Sequence, residues 1–181
     1  MTSVAALPAP GTRRRAAYEN WRPPIVGVSV LAIVRNGRLL LLQLHDGSYV
    51  LPTANVEDGQ SPEEAAQGAL AGLVPGLPVQ RQVVVDRVQM RRRRVFSHVV
   101  VTEALTAPEV RALTFRDPRA DVQVLPTTRA LAVLPPGAQL RAVLGLQAAS
   151  IGAVLHLNDG QIARVEDVRP RSARSRTSGG R

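Results

Sequence analysis

Asn36-Gly37 separates two apolar runs, IVGVSVLAIV at residues 25–34 and RLLLLQ at residues 38–43. A type I′ turn needs positive φ at both central positions. Asn-Gly meets that need most readily, so this is the strongest short hairpin signal a sequence offers. The first run is apolar and β-branched and reads as a buried strand. Further strands are expected at 49–51, at 79–89 and 95–105 (joined through the basic tip MRRRR), and at an edge position over 121–125. Ser61 and Glu64 form an S-x-x-E capping box that starts a helix at about Pro62. The helix is expected to run to Leu73, where VPGLP ends it. Residues 106–120 read as a surface loop with a short turn. Leu140, Val143, Leu144, Gln147, Ile151, Val154 and Leu155 fall near helical spacing, which predicts a second helix ending at Asn158-Asp159-Gly160. A competing reading makes 151–165 a hairpin around that same turn. Two helices packed around a mixed sheet is the economical arrangement of these elements.

The chain has 181 residues, 45% of them hydrophobic, which suits one domain with a packed core. It has no cysteine, so disulfides, thiolate metal sites and cysteine nucleophiles are excluded. No run reaches the ~18–20 apolar residues of a membrane span. The N-terminus places arginines after a short, proline-broken apolar patch, the reverse of a signal peptide. A cytoplasmic location without membrane attachment is the expectation. The formal charge of +9 is uneven. Residues 1–22 hold four Arg and one Glu, net +3, and residues 161–181 hold six Arg, one Glu and one Asp, net +4. The rest is nearly neutral. The division expected is therefore a flexible basic arm at 1–22, a domain at 23–160 and a disordered Arg-rich tail at 161–181.

With Leu51-Pro52 leading into Val56, Glu57, Gly59, Ser61, Glu64, Ala65 and Ala66, residues 25–105 resemble the core of a Nudix hydrolase. That family carries a box of the form G-x5-E-x7-R-E-U-x-E-E-x-G-U (U, bulky aliphatic) on a strand, loop and helix, commonly preceded by Leu-Pro. Leu51-Pro52 matches that start, and Val56, Glu57, Gly59, Ser61, Glu64, Ala65 and Ala66 fall in register with a frequent form of the loop. The resemblance implies an α/β/α sandwich with a mixed β-sheet and two main helices. It also implies hydrolysis of a nucleoside diphosphate linked to another group, through Mg²⁺ held by box glutamates.

The box itself is degenerate. Ala54 stands at the opening glycine, Gln60 at the first glutamate, Gly68 and Ala69 at Arg-Glu, and Gly72 and Leu73 at Glu-Glu. In a continuous helix, residues 69, 72 and 73 share one face, and three carboxylates there would converge on an ion. A hard divalent cation needs several oxygen ligands, and these side chains offer none. Glu57, Asp58 and Glu103 are the candidate residual metal or ligand contacts, although Glu103 also reads as a solvated strand-end carboxylate. Glu63 is also nearby, and Glu64 reads as the cap. His98 alternates with Phe96 and Val100 on one strand face and reads as structural. Arg91, Arg92, Arg93 and Arg94 are either a solvated hairpin tip or an anion grip.

The sequence thus predicts a catalytically impaired or inactive Nudix homologue that binds a nucleotide-like ligand or a protein partner, in a regulatory or scaffolding role. No catalytic residue, resident metal or cofactor is expected. The alternatives are a divergent hydrolase with relocated ligands, which would need Mg²⁺, and a non-specific nucleic-acid-binding module using the Arg tip and tails. A homodimer is a further possibility.

Overall fold

The computed structural model describes residues 22–115, 117 and 120–168; the arm at 1–21 and the tail beyond 168 lie outside the described residues. The first apolar run is two strands, β1 (Ile25–Leu31) and β2 (Ile33–Val34), broken at the fully buried Ala32. The break passes the chain from one sheet to another. Asn36 and Gly37 take φ of 65° and 67°, so the expected turn forms, and β2 pairs with β3 (Arg38–Gln43). β4 (Tyr49–Val50) and β5 (Thr53–Asn55) follow, then helix α1 (Pro62–Gln67). The long strands β6 (Val79–Gln89) and β7 (Arg94–Thr102) make the expected hairpin. The stretch read as a loop contains a capped helix, α2 (Ala107–Ala112). β8 (Asp121–Pro126) leads into α3 (Thr127–Val133) and α4 (Pro136–Ile151).

Residues 153–167 form a hairpin, β9 (Ala153–Asn158) and β10 (Gln161–Asp167). The second helix therefore ends at Gly152 in the left-handed region, φ 72°. Asn158-Asp159-Gly160 is the hairpin turn, with Asp159 and Gly160 at φ 50° and 79°. The competing hairpin reading holds here. Val154 and Leu155 mimicked a helical period, but Ala153, Val154, Leu155 and Leu157 are buried in a strand that pairs on both sides, with β10 and with β6. The tail expected from residue 161 accordingly starts as β10, which extends the folded part past residue 160.

The six-stranded sheet runs β10-β9-β6-β7-β1-β5, and a smaller sheet is built on β3, flanked by β2, β4 and β8. β1 runs parallel to β7, and β6 parallel to β9. The larger sheet has a core on each face. Val28, Val30 and Val100 pack with Ala65 and Ala66 of α1. Leu31, Val83, Val84 and Val99 pack with Ala142 and Ala148 of α4. A small-residue face lets α4 settle closely: a β-carbon on Gly145 would lie 2.7 Å from Leu31 Cδ1. This is the expected α/β/α arrangement. Among the described residues, no helix is long and apolar enough to cross a membrane.

Candidate functional site

The box loop begins on edge strand β5, which pairs antiparallel with β1. Val56 N–H donates to Val26 C=O at 3.0 Å and anchors the loop to the start of β1. Gln60, at the position of the first box glutamate, turns back instead of reaching outward: its Oε1 accepts from Glu57 N–H at 3.2 Å. The capping box is complete, with Glu64 N–H donating to Ser61 Oγ at 3.1 Å and Ser61 N–H to Glu64 Oε2 at 2.8 Å. The roles read for Ser61 and Glu64 are those observed.

The helix does not reach Leu73. It stops at Gln67, and Gly68 caps it. Ala71 then bridges to Thr114 in extended geometry, through two backbone hydrogen bonds of 2.9 Å. Gly72 sits at φ 103°, and a β-carbon there would overlap the Ala112 carbonyl oxygen. The expectation that 69, 72 and 73 lie on one helix face is therefore corrected. Ala69 is buried, Leu73 packs against the core, and position 72 admits no side chain. A glycine permits this close backbone crossing and the positive φ together.

Glu57, Asp58 and Glu103 are exposed. Among the described residues, no three His, Asp or Glu side chains are grouped so as to hold a metal ion. The structure does not gather those three carboxylates around one point.

It does bring other residues together. A cavity of about 290 Å³ lies over β5, β1 and β7, lined among others by Ala54, Asn55, Ser29, Ser97, Phe96 and Phe115. Ala54 places it against the degenerate box. Phe115 follows Thr114, so the bridge that displaces the box helix also positions a wall of this cavity. A second cavity of about 390 Å³ is lined by Arg22, Pro24, Arg94 and Phe96. Phe96 is common to both. The Arg87 guanidinium lies 5.5 Å from the Phe96 ring centroid. Among the described residues, neither Arg87 nor Arg94 has a carboxylate partner. Two guanidinium groups beside an aromatic face suit a ligand with an anionic and a planar part. A separate cleft, lined by Arg35, Arg38 and Arg111, is touched by none of the box residues.

Of the four tip arginines, Arg94 alone lines this site; Arg91, Arg92 and Arg93 form the turn closed by Met90 N–H to Arg93 C=O at 3.0 Å. Arg87, Phe115, Asn55 and the two serines were not singled out from the sequence. Arg94, Phe96 and His98 do alternate along β7, and that period was the only local signal. His98 Nδ1 lies 2.7 Å from Gln82 Oε1. Burial holds its imidazole below the ordinary range, against a smaller upward pull from the Glu63 carboxylate.

The sequence matches no family model and no curated protein. Solved structures do resemble it. A MutT protein from Methanosarcina mazei Go1 is 15% identical at a TM-score of 0.54, over 72% of this chain and 96% of that one. A NUDIX hydrolase from Nitrosomonas europaea is 10% identical at 0.55, over 77% and 80%. A mutator MutT protein from Bacillus halodurans is 13% identical at 0.52, over 81% and 99%. The chain has the Nudix fold.

Proposed function

We propose that this Nudix-fold chain binds a nucleotide-like anion in the paired cavities around Phe96 and does not hydrolyse it by a metal-dependent route. The observation that carries this reading is Gly72. Its backbone crosses Ala112 where a glutamate would have to stand, and the bridge from Ala71 to Thr114 fixes that crossing. The segment that would present carboxylates is instead a support for Phe115.

In this reading Arg94 and Arg87 hold the phosphate portion, because a guanidinium can give two parallel hydrogen bonds to phosphate oxygens. Asn55, Ser29 and Ser97 supply the polar contacts that orient the rest. The role is regulatory or scaffolding, with occupancy as the output.

The test is a turnover assay of the purified full chain against nucleoside diphosphate derivatives with Mg²⁺. No product above the uncatalysed rate is expected. Mg²⁺-dependent release of a nucleotide at ordinary enzyme rates contradicts the proposal and returns the divergent-hydrolase alternative.

A further inference from the structure

Among the described residues, nothing pairs with the far edge of the larger sheet. β10 is its terminal strand, and all seven of its residues are exposed. Ile162 and Val165 are 55% and 52% exposed. Apolar side chains continue around it. Leu140 of α4 lies beside the hairpin turn at Gly160. Ile151, 68% exposed, precedes Gly152, whose carbonyl accepts from Val168 N–H. An exposed, partly apolar edge strand is a template for another strand. β10 carries no proline, and its one irregularity, between Ile162 and Arg164, leaves the pairing from 164 to 167 regular.

We infer that β10 pairs antiparallel with β10 of a second copy of this chain, joining the two sheets across a two-fold axis at Val165. Two observations select this occupant. The first is backbone polarity. Val168 N–H bonds inward to Gly152, so in the alternating antiparallel ladder residues 166 and 164 also face β9. Residues 165 and 167 turn their N–H and C=O groups outward. An axis at Val165 needs those groups. The second is charge. In that register Arg164 of each copy stands opposite Glu166 of the other, twice, and Val165 meets itself. Within one chain Arg164 Nη2 is already 3.1 Å from Glu166 Oε2, which also faces His156 Nε2 at 3.1 Å. Pairing would extend this arrangement into a four-charge ladder across the axis. The interface is isologous and closes.

The experiment is sedimentation or native mass analysis of the full chain and of two charge reversals, Arg164→Glu and Glu166→Arg. The unaltered protein is expected at twice its 19.4 kDa chain mass. Each reversal alone sets like charges opposite each other and is expected at the single-chain mass, with its thermal transition retained. Mixed, the two variants are complementary and are expected to form a pair containing one of each. Val165→Lys, at an exposed position, is a second route to the single-chain mass. A monomeric unaltered chain overturns the inference, including the case in which residues 169–181 cover the edge. A dimer that survives every variant, or variants that fail to associate on mixing, overturns this register.

Discussion

Position 72 accepts no β-carbon in the observed backbone, because the Ala112 carbonyl already occupies the place where it would stand. Gly72→Ala must therefore displace α2 or abandon φ 103°, a region L-residues rarely adopt. We predict a loss of at least ~2–3 kcal/mol in denaturant unfolding. A helical box segment, by contrast, would gain about 1 kcal/mol from the same change. The sign of one substitution thus separates the bridged segment from a helix. His98 gives a second residue-level outcome. Its imidazole is held low mainly by burial. The unfolded chain takes up a proton near the ordinary value, about pH 6.5, and the folded chain only at lower pH. Stability is then complete above that value and declines as pH falls below it. His98→Gln is expected to flatten the decline in thermal unfolding measured across that range; an unchanged slope would assign it to other groups.

At the level of elements, the C-terminus of α4 is held by the Gly152 cap and by one side chain from β6. Arg81 Nη1 donates to Ala153 C=O at 2.9 Å, and Nη2 to Ala148 and Ala149 C=O at 3.1 and 2.9 Å. Ala148 and Ala149 lie in the last turn of α4, where Ala148 C=O also accepts from Gly152 N–H, and Ala153 begins β9, so Arg81 ties the helix end to the strand that follows it. Arg81→Met keeps the aliphatic stem and removes the donors, and is expected to cost about 2–3 kcal/mol in chemical denaturation. The sequence made local elements legible: the Asn36-Gly37 turn, the Ser61–Glu64 cap, and the β6–β7 hairpin all rest on neighbours in the chain. It misplaced the ends of two helices for tertiary reasons. α1 stops early because Ala71 finds Thr114, more than forty positions away. α4 stops early because Gly152 turns left-handed, while β9 happens to continue an i, i+3, i+4 pattern. The candidate site was legible as a deficit, the missing carboxylates, and in Arg94 of the basic tip. The rest of its content depends on the parallel pairing of β1 with β7, which sets Gly27 against Ser97 and Val26 against Phe96, and no local signal encodes that pairing.

Across the whole molecule, one architecture places two distinct demands on opposite ends of a sheet. The β5 end joins the altered box to the cavities around Phe96, and the β10 end offers a self-complementary edge. Dimerisation at β10 would leave the β5 end free, so ligand binding and assembly are expected to be separable. Replacing Arg94 or Phe96 with alanine should weaken ligand without changing mass. The most direct test of the central claim is calorimetric titration of the full chain with nucleotides and nucleotide sugars, with and without Mg²⁺, while the titrated ligand is analysed for breakdown. The account predicts that a ligand binds equally in both conditions, is recovered intact, and loses affinity in Phe96→Ala and Arg94→Ala. Binding that appears only with Mg²⁺, or a ligand recovered cleaved, would contradict it.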